Sequence, residues 1–299
     1  MRWLLIALLT LFSASAVAQN CDNVKSGLGA NHKPQNTSRD IVGQSLDDIR
    51  TRGWIQFAVY SDFPPYSFKK DGKLTGVDID LGNLIAADLG VEARFYVTDA
   101  GENVDADLRF NVWKGRLIGG KISNVMLHVP YNRELGCRNE QVVLNGQYFN
   151  ERIAIAYSKS AYEDDDKPVP AYFRFDKVGV ENDSLPDFYL SGIAGGQIIP
   201  KMTRYRTVAK AMDALRKGEV KAVMGPLAQL EFGLDETLGV HTPPLPGLAL
   251  GVWTLGVAVR HNWRPLSYAV DDAIHQAVQD GRMKKIFGKY GLSYTPPKW

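Results

Sequence analysis

The sequence predicts an α/β protein built as two lobes, and two observations carry this. Apolar residues recur at strand spacing, then at helical spacing, then at strand spacing again, several times along the chain. The chain has 299 residues, more than one simple hydrophobic core organises, even with a leader set aside. Strand–helix–strand alternation of this kind points to mostly parallel strands with helices packed on them.

Residues 1–18 read as a signal peptide. Arg2 gives the positive start, Trp3 to Phe12 a short apolar run, and Ala16-Val17-Ala18 the small-residue cleavage pattern. Export to the periplasm follows from that reading. Cys21 stands beyond Gln19 and Asn20, so a lipid anchor is disfavoured. Residues 19–44, rich in Asn, Gly, Ser, Lys and Pro, read as an arm.

Ser45 to Arg52 is a short helix that Ser45 caps, and Trp54 to Tyr60 is a strand ended by Pro64-Pro65. Lys69 to Gly72 is a hairpin turn. From Asp78 to Leu89, Ile79, Leu81, Leu84, Ile85 and Leu89 mark a helix that Gly90 stops, and Val91 to Val97 returns as a strand. Further strands are expected at 122–129, 148–157, 177–180, 220–224 and 255–259. Helices are expected at 207–217, 265–281 and 284–290. The acidic run Glu163 to Asp166, beside prolines, fits either a cation-binding loop or a solvated one.

With 35 basic and 33 acidic residues and no Lys/Arg run interleaved with aromatics, nucleic-acid binding is excluded. The most apolar later stretch, Leu248 to Val259, is too short and too rich in Gly and β-branched residues for a membrane span. Cys21 and Cys137, in an oxidising compartment, form either one disulfide or two separate thiols. Neither Cys nor His shows metal-ligand spacing, so no metal and no cofactor is expected.

The stretch Phe57-Ala-Val-Tyr-Ser-Asp-Phe-Pro-Pro-Tyr-Ser-Phe-Lys-Lys-Asp-Gly-Lys-Leu-Thr-Gly-Val-Asp-Ile-Asp-Leu81 resembles the opening of family 3 solute-binding proteins, the polar amino acid receptors of ABC importers. Val77 stands where that family usually has an aromatic. The resemblance recurs at 125–133, 178–184, 215–225 and 256–291, where Gln279-Asp-Gly281 and Ile286-Phe-Gly-Lys-Tyr-Gly291 fit. It implies a two-lobed periplasmic binding protein-like fold of type II with two strand crossovers. Lobe one would be 45–147 plus 255–299, and lobe two 148–254. A small ligand would sit between the lobes and be enclosed by hinge closure.

The resemblance also assigns candidate residues. Arg133 falls where the family clamps a ligand carboxylate. Phe63, Tyr66 and Trp113 fall on the cleft wall, with Tyr66 equally readable as core. Asp183 and Ser184 fit the lobe-two turn that normally receives a carboxylate, although the charge of Asp183 opposes one. Tyr60 replaces an acidic residue near the first strand, and His128 replaces a small hydroxyl residue; an imidazole there could hold an anion, a carbonyl or a metal. Lys221 and Gly225 stand where the family carries acidic residues, the second being the partner of a ligand ammonium. A desolvated ammonium without a carboxylate costs several kcal/mol, about 2–7 for polar groups generally. An ordinary α-amino acid is therefore a poor candidate, and a non-standard ligand is expected.

Three functions stand open on the sequence. The first is a monomeric, non-enzymatic receptor delivering a small molecule to an ABC importer permease. The second is an accessory protein of a periplasmic quinoprotein (PQQ) alcohol or methanol dehydrogenase, because Val125-Met-Leu-His-Val-Pro-Tyr131 is similar to a strand of proteins associated with those enzymes. The third is a dehydratase-type enzyme on the same fold, with Glu181 and His128 as acid and base, although no catalytic motif supports it.

Overall fold

Seventeen residues, Val142–Ser158, form one strand, β6, that runs through both lobes. In this computed structural model the described residues are 21, 44–116, 118, 121–163 and 165–298. The expected signal peptide and all of the 19–44 arm except Cys21 and Gln44 lie outside them.

Lobe one begins with helix α1 (Leu46–Arg52), where the Ser45 side chain accepts a hydrogen bond from the Asp48 N–H at 3.0 Å. Gly53, at φ +78°, ends it in the left-handed conformation that glycine tolerates. Strand β1 (Trp54–Tyr60) leads to a cis Pro64–Pro65 bond and the hairpin β2 (Phe68–Lys70)–β3 (Lys73–Thr75). Helix α2 (Val77–Asp88) and strand β4 (Glu92–Thr98) follow, β4 parallel to β1. Next come α3 (Val104–Leu108), continued as a π-helical turn over Arg109–Trp113, then β5 (Val125–Pro130) and α4 (Arg133–Arg138).

Lobe two holds β7 (Val178–Glu181), α5 (Leu185–Gly192), β8 (Met202–Tyr205), α6 (Val208–Arg216), β9 (Ala222–Pro226), α7 (Leu227–Phe232) and β10 (Leu238–His241). The chain returns through β11 (Val252–Arg260) to α8 (Arg264–Gln279) and α9 (Arg282–Lys289) in lobe one. The nine-stranded sheet has the order β4-β1-β5-β11-β6-β9-β7-β8, with β10 also on β6. β6 changes partners midway: residues 142–152 pair with β11, and 153–157 pair with β9. The expected strands and helices all have counterparts; β6 starts six residues before the expected Tyr148, because a bulge at Gly146 (φ +55°) breaks its alternation.

Each lobe packs apolar side chains on its part of the sheet. Phe57, Ile85, Val257, Ile274 and Phe287 centre one lobe-one cluster, and Ala58, Trp113, Met126, Leu135 and Ala258 centre a second. Lobe two has a cluster around Ile155, Val180 and Met224 and another around Ala156, Met212 and Val223. Cys21 and Cys137 are joined in a disulfide with Cα atoms 5.5 Å apart, tying residue 21 to α4 across 116 positions. No helix among the described residues is long and apolar enough to cross a membrane.

Gly76 opens α2 at φ +130°, with the Tyr66 carbonyl oxygen 2.1 Å from where a Cβ would sit. Gly76→Ala is therefore expected to cost at least about 2–3 kcal/mol, from backbone strain and a forced shift of the Pro65-Tyr66 turn, read by urea unfolding. Replacing Cys21 and Cys137 together by Ala is expected to cost about 2–4 kcal/mol, since the crosslink closes a long loop; the same measurement with and without reductant checks it.

Candidate functional site

The ends of β1 and β5, the Pro64-Pro65 turn, the start of α2 and the middle of β6 meet where the lobes join. β1 delivers Tyr60, whose hydroxyl donates to Asp107 at 2.8 Å. Burial first, and Asp107 second, push the Tyr60 hydroxyl far above its ordinary pKa, while burial also raises Asp107. The turn presents Phe63 and Tyr66, their rings stacked with centroids 5.4 Å apart. β5 contributes His128 at φ +59°, a left-handed conformation that non-glycine residues rarely hold. That twist sets the imidazole edge-on to Tyr66 at 4.1 Å and to Phe63 at 4.9 Å.

Beneath these rings lie two buried carboxylates. Asp78, in the first turn of α2, accepts from the Tyr148 hydroxyl at 3.3 Å. Its other oxygen stands 3.6 Å from Nδ1 of His128, too far for a hydrogen bond, and both atoms lack a hydrogen-bond partner. Glu151, on β6 where the strand passes between lobes, accepts from the Tyr66 hydroxyl at 2.7 Å and from the Arg152 N–H at 2.8 Å. The Ala228 N–H of α7 also bonds it. Burial pushes the Glu151 carboxyl above its usual range, and the three hydrogen bonds pull it part of the way back. Tyr66 and Tyr148 are both driven well up, chiefly by burial.

Helix α7 belongs to lobe two yet packs on lobe one. Ala228 sits in the lobe-one cluster, Phe232 meets Phe68 edge-on at 5.3 Å, and Glu231 accepts from the Ser293 N–H at 2.8 Å. A cavity of about 260 Å³ opens between the lobes beside Phe63. Asp62, Phe63 and Pro64 line it from lobe one, and Glu181, Thr207, Lys210 and Gln229 from lobe two. Burial raises the Glu181 carboxyl, with the Val208 N–H opposing the shift.

Side chains of the lobe-two turn meet two of its own N–H groups. Ser184 caps α5, accepting from the Asp187 N–H at 3.4 Å and donating to the Glu181 carbonyl at 2.6 Å. Asp187 reaches back to the Asp183 N–H at 3.1 Å, a reciprocal capping arrangement. Burial disfavours the Asp187 charge, but Arg204, at 2.9 Å, outweighs that and holds the carboxyl below its usual range. Asp183, at φ +57°, adds a second carboxylate to the same turn.

The structure thus gathers Tyr60, Phe63, Tyr66 and His128, and sets Asp183 and Ser184 on lobe two. Trp113, the last residue of the π-helical turn, is buried in the lobe-one core with Val112 and Met126 and not at the cleft surface. Arg133 is the first residue of α4, exposed, and lines a separate cavity of about 300 Å³ with Cys21, Asn132 and Cys137. Gly225 is buried against Val208 and Leu230, an apolar setting for any side chain there. Sequence reasoning missed Asp78, Asp107, Tyr148 and Glu151. Asp78 was visible within Gly76-Val-Asp-Ile-Asp80, and the polar trio Asn150-Glu151-Arg152 interrupts an otherwise apolar strand. Among the described residues no group of three or more His, Cys, Asp or Glu could hold a metal ion.

The chain has the two-lobed fold of periplasmic binding proteins: an ancestral cationic amino acid solute-binding protein superposes with TM-score 0.66 at 21% identity, covering 82% of this chain and 99% of that one. Residues 55–109 match the family model of bacterial extracellular solute-binding proteins, family 3. Two curated relatives agree. The L-arginine-binding protein of Pseudomonas aeruginosa is 24% identical over 79% of this chain and 87% of its own. The L-cystine-binding protein of Escherichia coli K12 is 27% identical over 82% and 85%. The likeness in each comparison is to solute-binding proteins, and over residues 55–109 to family 3 of them.

Glu151 carries a pH prediction. Its folded pKa is raised above the ordinary 4.5, so the native state binds the proton more tightly than the unfolded chain. Its contribution to stability therefore falls as pH rises from about 4.5 through the raised folded value. Glu151→Gln is expected to flatten that part of the stability–pH curve, and Tyr66→Phe to cost about 1–3 kcal/mol by leaving a buried acceptor short of a donor. Urea unfolding across pH 4–8 checks both; an unchanged profile in Glu151→Gln would falsify the assignment.

Proposed function

We propose that the protein is a periplasmic receptor of an ABC-type importer that takes up a small cationic amine lacking an α-carboxylate, and that it catalyses nothing. The observation that carries this reading is the lobe-two turn. Asp187 takes the Asp183 N–H, Ser184 takes the Asp187 N–H, and Asp183 adds negative charge, so an incoming carboxylate meets an unfavourable field. The cavity beside Phe63 instead offers Asp62 and Glu181 from opposite lobes. An ammonium or guanidinium between them would be held by both lobes and would draw them together. Lys210 at the same cavity stands 3.7 Å from Asp213, which offsets its charge. The relatives are named for L-arginine and L-cystine, whose molecules carry both an ammonium and a carboxylate; here Gly225 stands where the resemblance puts the partner of the ammonium, and Asp62 and Glu181 would take over that role.

Agmatine and arginine share the guanidinium and differ at the carboxylate, so they separate the alternatives. In a thermal-shift titration agmatine is expected to raise the melting temperature, arginine much less, and Glu181→Gln to reduce the agmatine response. Stabilisation by arginine equal to or greater than that by agmatine sinks the reading. Silence toward amines together with a shift on adding a partner protein would point to an accessory role.

A further inference from the structure

Lobe two contains a second cavity, about 440 Å³, that belongs to no part of the inter-lobe site. Its volume falls within the range of small-molecule pockets, about 300–1,000 Å³. We propose that it is a binding site for an apolar monocarboxylate, with the hydrocarbon body against Ile193, Ile198, Pro244 and Pro246 and the carboxylate paired to Arg174.

The walls are apolar and held from several elements. The turn Pro170–Arg174 forms one side, and its approach is fixed by His241 Nε2 meeting the Pro168 carbonyl oxygen at 2.8 Å. Tyr189, on α5, donates its hydroxyl to the Pro246 carbonyl at 3.2 Å, pinning the 244–247 loop as the opposite wall. Three successive left-handed residues, Ala194 (φ +52°), Gly195 (+62°) and Gly196 (+81°), turn the chain around the cavity between Ile193 and Ile198. Alanine rarely holds a left-handed conformation, so this loop is maintained against its local preference. With the Tyr189 hydroxyl already used, the lining leaves one strong polar group, Arg174.

Arg174 is exposed at the end of its turn, is the one charged side chain among the described lining residues, and makes no ion pair with any described residue. A guanidinium at the rim of an apolar cavity recognises a carboxylate bidentately, while the apolar walls take the rest of the molecule. Phe175 and Phe188, next in sequence to the lining residues Arg174 and Tyr189, are 78% and 63% exposed, far more than large apolar side chains normally are.

Calorimetric titration of the purified protein with octanoate, and with octanol as its uncharged counterpart, tests the site. Octanoate is expected to bind more tightly than octanol. Arg174→Gln should weaken octanoate by about tenfold, the scale of one charge-assisted pair, and leave octanol unchanged. Ala171→Trp, a substitution at an exposed lining position that fills the cavity without opening the core, should weaken both. Absence of octanoate binding, or octanoate affinity unaltered in either variant with a wild-type circular dichroism spectrum, overturns the proposal.

Discussion

The hydrogen bond between Tyr66 and Glu151 is the contact on which the arrangement of the lobes depends. Glu151 sits on the strand both lobes share, Tyr66 on the turn that closes lobe one, and the Ala228 N–H on the helix that lobe two lays against lobe one. A carboxylate in so dry a place is tolerated only when its lone pairs are filled. Three donors from three segments do this, and in doing so they fix those segments relative to one another. Phe63, His128 and the edge of the inter-lobe cavity follow from where Tyr66 is held.

The same constraint explains why the floor of the cleft is protein rather than ligand. Tyr66, Tyr148 and His128 occupy the volume above Asp78 and Glu151, and the tyrosine hydroxyls meet carboxylate oxygens that would otherwise face a cationic solute. What remains open is the side of the cleft at Asp62 and Glu181. On the proposed reading the solute is held at this rim, by Asp62 on one lobe and Glu181 on the other, and not at the floor.

Most of the architecture was legible in the sequence because it rests on period and punctuation. Gly90 ends a helix, Ser45 caps one, and the apolar spacing of α2, α6 and α8 is regular. The site was legible in part. Phe63 and Tyr66 stood out as matches to the cleft wall of the resembling family and His128 as a departure from it, but Glu151 and Asp78 did not stand out, since a lone acid in a strand or a helix start has a commoner solvated explanation. Trp113 read as a wall residue because no local pattern announces a π-helical turn, at whose end the ring is buried. Arg133 read as a clamp from its neighbours in sequence, whereas the cap at Asn132 sets it on the outer turn of α4.

Lobe one is assembled from two stretches of chain separated by all of lobe two, with β11, α8 and α9 arriving last. During synthesis β5 and the first half of β6 wait without the partner that lies between them in the sheet. Lobe two, apart from its ties to lobe one through α7, has its strands in hand much earlier. The interval leaves an apolar sheet edge uncovered for as long as about a hundred residues take to follow, and long-range pairing of this kind is intrinsically slow. Substitutions in α8 or β11 would therefore show first as lost folding yield and only then as altered binding.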